Sequence, residues 1–150
     1  MKKVLGALVF GAILVTIAVP VFAKGPTIKL TINGPSLGSP VVVTNKEAIF
    51  ATVWGGEFVN WGAGSVAAPS SELARYTVQF HVLPPRSEVK MLYVVTYVWD
   101  AAAQRALVHL PGRGEEWYRL NVSTILRDGY DGKWFYASDT WGRAIRQALP

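Results

Sequence analysis

The residue types able to do chemistry are few in this chain, and they are scattered. It has no cysteine, two histidines and ten acidic residues in 150. No thiolate nucleophile, disulfide or zinc–thiolate site can be built from it. Glycoside hydrolysis needs two carboxyl groups facing each other across a groove, about 5–10 Å apart. Glu57, Asp100, Glu115 and Glu116 sit in glycine-rich or turn-forming segments and are the acids that could form such a pair, Glu57 with Glu115 or Glu116 first among them. They make a small hydrolase one reading, with no motif behind it. The second available chemistry is aromatic. Trp54 and Trp61 flank Gly55-Gly56-Glu57, where backbone can approach a ligand and Glu57 can accept hydrogen bonds. Aromatic faces beside polar groups bind sugars, cations and peptides. Each tryptophan has a plainer role open to it, because large aromatics mostly fill cores. Tyr93, Tyr97 and Trp99 lie on one face of an apolar run and carry the same ambiguity.

Other patterns fall short of their chemistry. Gly62 to Ala67 spells a dinucleotide fingerprint, but no strand–helix context surrounds it and Pro69-Ser70-Ser71 follows. Ser65 has Ala67 where a nucleophile elbow needs glycine. Asp128 and Asp131 lie in a glycine-rich turn without the ligand spacing of a calcium loop. His81 and His109 fall on the first and third strands of the expected sheet, about 10 Å apart. A zinc needs its histidines within about 2 Å of the metal. Neither a metal nor a cofactor is expected.

These residues must be positioned by a fold that hydrophobic periodicity outlines. Thr27 to Ile32 alternates polar and apolar, a half-buried strand, and Val41-Val42-Val43 is a second. Thr44 and Glu47 read as a capping box for a short helix running to about Thr52, with Ala48, Ile49 and Val53 inward. Residues 54–71, rich in glycine and small side chains, read as one long irregular segment. Arg75 to Val82 alternates; Val89 to Trp99 is apolar on both faces and belongs inside a sheet. Turns at Asp100–Ala103 and Pro111–Gly114 lead into runs from Gln104 to Leu110 and from Trp117 to Val122. Trp134-Phe135-Tyr136 is extended or an aromatic plug. Ser138 caps a helix to about Leu149 with Trp141, Ala144, Ile145 and Ala148 on one stripe. The expected fold is α+β: an antiparallel four-stranded meander, a short N-terminal strand–helix unit and a C-terminal helix packed on the sheet.

The first 23 residues form an address label. Lys2 and Lys3 precede an uncharged run from Val4 to Ala23, and Val21 and Ala23 stand three and one before a cut. This is the layout of a secretory signal peptide cleaved after Ala23. An N-terminal membrane anchor is the alternative, since about 20 apolar residues span a bilayer. Residues 24–150 then form a single domain. Loss of Lys2 and Lys3 lowers the net charge from +5 to +3. The remaining bases are scattered, which argues against nucleic acid as a partner. The expected function is an exported small binding or interaction module of the bacterial envelope or extracellular space. Its candidate ligand surface is the loop 54–65, and its partner a protein, peptide or glycan. A small envelope hydrolase with paired carboxylates and a structural subunit assembling through its sheet are the alternatives.

Overall fold

A computed structural model describes residues 25–51, 56–125 and 129–150. The expected signal peptide, Val53, Trp54 and Asp128 lie outside the described residues. The chain forms seven strands: β1 (Thr27–Asn33), β2 (Val41–Val43), β3 (Ser65–Val66), β4 (Arg75–Val82), β5 (Lys90–Asp100), β6 (Arg105–His109) and β7 (Trp134–Tyr136). Three α-helices accompany them: α1 (Lys46–Ile49), α2 (Tyr118–Thr124) and α3 (Asp139–Ala148). The strands form one antiparallel sheet in the order β2-β1-β4-β5-β6-β7-β3. The α+β class and the antiparallel sheet agree with the sequence reading. The four-stranded meander does not: the sheet has seven strands, with β4, β5, β6 and β7 as consecutive neighbours, β1 and β2 added at one edge and β3 at the other.

The main correction is at Trp117–Val122, expected as the fourth meander strand and found largely in α2. The place beside β6 is taken by β7, whose Trp134, Phe135 and Tyr136 pair with His109, Val108 and Leu107. Three consecutive aromatics suit a pleated surface better than a segment interrupted by Arg119 and Asn121. β5 outruns β6, and α2 covers the protruding edge with side chains instead of a strand. Thr96 of β5 faces His109 of β6. Two residues back, Val94 donates its N–H to Asn121 Oδ1 at 2.9 Å and accepts from Asn121 Nδ2 at 2.6 Å. Two further back, the Leu92 carbonyl accepts from the Thr124 hydroxyl at 2.6 Å. One ladder edge is thus satisfied by backbone, then an amide, then a hydroxyl, as buried backbone groups require.

Smaller departures have local causes. Asn45, not Thr44, caps α1, its Oδ1 accepting from Ala48 N–H at 2.9 Å. Ser138 precedes α3 as expected, but its side chain makes no capping bond; its N–H donates to the Phe58 carbonyl at 3.0 Å. The segment expected to be irregular contains a 3-10 turn at Trp61–Ala63 and β3, and Val59 bridges Ala137.

The core lies between the sheet and the layer of α1, α3 and Phe58. Trp141 of α3 is fully buried, stacked on Phe80 at 6.0 Å and edge-on to Tyr97 at 5.9 Å. Phe58 packs on the Trp141 ring at 5.7 Å and on Phe80 at 5.0 Å. Trp141 Nε1 has no hydrogen-bond partner among the described residues. That omission costs about 1–3 kcal/mol, less than the roughly 3–5 kcal/mol lost when such a ring is deleted. The Tyr97 hydroxyl donates to the Gly142 carbonyl at 3.0 Å, and burial raises its pKa. At Gly142 a Cβ would meet Ala106 Cβ at 2.8 Å and Ala137 Cβ at 3.3 Å, so glycine lets α3 lie directly on β6. Among the described residues no helix is long and apolar enough to cross a membrane.

Candidate functional site

The sheet face turned away from α1 and α3 is polar along one row. Strand register places Asn33, Thr77, Thr96, His109 and Trp134 side by side across β1, β4, β5, β6 and β7. In-register residues share a face and touch. From Thr77 to Trp134 the row crosses three strand spacings, about 14 Å. These four side chains form the floor of a groove of about 410 Å³, walled by Arg75, Pro111, Glu115, Glu116 and Trp117.

The walls are held by specific contacts. Arg75, at the start of β4, donates to the carbonyls of Pro69, Ser70, Ser71 and Leu73, at 3.0 to 3.5 Å. Its guanidinium carbon lies 5.8 Å from the centre of the Trp134 ring. Trp134 also packs on His109, ring centres 4.9 Å apart. Glu115 Oε2 accepts from the Gly112 N–H at 2.7 Å and lies 3.7 Å from His109 Nε2. The His109 side chain is 13% exposed and that of Glu115 is 51% exposed, so the pair has one buried and one wet end.

Trp117 is the strained member. It precedes α2 with φ 69° and ψ −8°, in the left-handed region. A bulky side chain there costs on the order of 1–3 kcal/mol. Its carbonyl accepts the first helical bond, from Asn121 N–H at 2.9 Å, and Asn121 is fixed to β5. The β5 edge therefore holds α2, and α2 holds Trp117 over the groove.

The residues singled out from sequence are divided between opposite sides of the sheet. Glu115 and Glu116 wall the open-face groove. Glu57 is exposed and lines a hollow on the helical side, with Lys46, Phe50 and Thr140. Glu57 and the 115–116 pair thus do not face each other across one groove. Trp61 is half-buried, donates from Nε1 to the Gly56 carbonyl at 3.0 Å, and packs on Phe135 at 5.2 Å and Tyr130 at 5.1 Å. Trp54 lies outside the described residues. Tyr93 and Tyr97 are buried core residues, and Trp99 is half-buried against the same core.

The histidines fall on β4 and β6 with β5 between them. His81 Nε2 lies 3.1 Å from the Thr31 hydroxyl, and burial together with Lys29 lowers its pKa below 6.5. Among the described residues no three histidine or acidic side chains group as a metal site. Sequence reading missed Thr77, Thr96, Trp117 and Trp134 as a group. Alternation in β4 already turned Thr77 outward with Arg75, but joining it to Trp134 requires the register of four strands. Comparison with known protein families, curated proteins and solved structures finds no match for this chain.

Proposed function

We propose that the protein is an exported, non-enzymatic binding module whose ligand lies in the open-face groove. The observation that carries this reading is the strained Trp117, kept at φ 69° on the wall of that groove. Strain of this kind persists where surrounding structure over-determines it, and it clusters at ligand sites. Glycine would relieve it. The groove combines aromatic rings, hydroxyls, an imidazole and carboxylates in a concave setting, as small-ligand sites do. The signal-like leader supports export. The separation of Glu57 from Glu115 and Glu116 removes support from a paired-carboxylate hydrolase. Edge strands of three and two residues, β2 and β3, offer little backbone for assembly through the sheet.

The test is ligand-induced stabilisation of the purified protein against soluble glycan fragments, peptides and lipid micelles, with tryptophan fluorescence in parallel. A ligand at a hundredfold its Kd stabilises by about 2.7 kcal/mol. Trp117→Gly should abolish both signals and leave the unliganded melting temperature nearly unchanged. Full stabilisation retained in Trp117→Gly places the ligand elsewhere and sinks the proposal.

A further inference from the structure

The groove carries enough chemistry to choose among ligand classes, and this choice rests on the binding reading above. A peptide adding itself as a strand needs an open backbone edge. The β5 edge beside the groove is closed, its Val94 and Leu92 groups taken by Asn121 and Thr124. A strongly charged ligand needs opposing charge that is not already used. The wall charges are of mixed sign, Arg75 held on main-chain carbonyls against Glu115 on the Gly112 N–H and Glu116, so no single-sign field selects such a ligand. What the floor offers instead is hydroxyl groups that work in both directions. The Thr77 and Thr96 hydroxyls each donate and accept, and the His109 imidazole adds ring nitrogens beside them. They stand one strand spacing apart, with Trp134 at the end of the row and Trp117 on the wall.

We infer that the ligand is a neutral oligosaccharide lying across the strands. Successive sugar rings advance by a length comparable to the strand spacing of about 4.8 Å. Their hydroxyls, donors and acceptors alike, meet Thr77, Thr96 and His109 in turn. Their apolar ring faces meet the indole of Trp117, an arrangement in which flat C–H surface and hydrogen-bonding rim are both served.

The experiment is a nitrogen–proton NMR titration of the purified protein with cellotetraose, maltotetraose and tetra-N-acetylchitotetraose. A set of short neutral peptides and dodecylphosphocholine micelles serve as competitor classes. One sugar should shift the backbone signals of Thr77, Thr96 and His109 and the indole signal of Trp117. Thr96→Val keeps the β-branched shape and removes the hydroxyl, so affinity should fall about tenfold, the worth of one hydrogen bond. Its melting temperature should not move. If peptide or micelle shifts this row and no sugar does, the saccharide assignment is overturned and the binding reading stands. If the sugar binds with shifts on the Glu57 side, or if no probe of any class moves the row, both fall. Unchanged sugar affinity in Thr96→Val also overturns the assignment.

Discussion

Replacing Asn121 by alanine tests how the groove is built. Asn121 is 1% exposed, and its amide serves both the N–H and the carbonyl of Val94, at 2.9 and 2.6 Å. Truncation strands two buried backbone groups. Each costs about 1–3 kcal/mol when left without a partner. Water entering the gap recovers part of this, so a net loss of about 3 kcal/mol is expected. For a domain of this size roughly 4 °C of melting temperature goes with each kcal/mol. The melting temperature should therefore fall by about 12 °C, read by circular dichroism and checked by urea unfolding. Asn121→Asp separates hydrogen bonding from packing. At pH 7 the carboxylate still accepts from Val94 N–H, but it sets a second acceptor, buried and charged, against the Val94 carbonyl. It should destabilise at least as much as alanine despite its asparagine-like shape. A loss below about 1 kcal/mol in the alanine variant, or an aspartate variant milder than alanine, would refute the claim that this amide substitutes for a strand.

The other expectations concern single sites. Gly142→Ala sets two effects against each other: alanine gains up to about 1 kcal/mol of helix propensity, while its Cβ meets Ala106 at 2.8 Å. Overpacking of this kind costs about 1–3 kcal/mol, so the melting temperature should drop; a rise would mean that α3 lifts off β6 at no cost. Trp117→Gly exchanges a half-buried ring for a relaxed left-handed backbone, and its stability in urea should lie within about 1 kcal/mol of the parent. His81 has a folded pKa depressed below 6.5, by burial first and Lys29 second. The unfolded chain then binds the extra proton, so stability is full above about 6.5 and falls as pH drops through 6.5 toward the folded value. His81→Gln should flatten the melting temperature between about pH 7.5 and pH 5.5; an unchanged slope would assign it to other groups.

Much of the frame was legible in the residues. Strict alternation announced β1 and β4, the two-faced apolar run announced an interior β5, and the stripe through Trp141 and Ile145 announced α3. What was hidden depends on competition between distant segments. Trp117 to Val122 has a strand-like composition, and β7 displaced it from β6. Nothing local says that Asn121 will stand in for a backbone. The groove was hidden for the same reason. Thr77, Thr96, His109 and Trp134 are unremarkable apart, and only register across four strands makes them a row. The 54–65 loop drew attention for its tryptophans, yet Trp61 turns toward Phe135 and Tyr130, a choice set by contacts about seventy residues away.

The sheet order also dictates when the molecule can become rigid. β3 finds its partner in β7, Val59 finds Ala137, and Phe58 and Phe80 close on Trp141. Each of these early segments waits for the last seventeen residues of the chain, from Trp134 to Pro150. A lengthening polypeptide that stops short of Asp139 has hairpins but no lid over its aromatic centre. Closure through such distant pairs is slow compared with local helix or hairpin formation. For the export proposed above, this delay is useful: the stretch already made stays threadable until its own tail arrives on the far side.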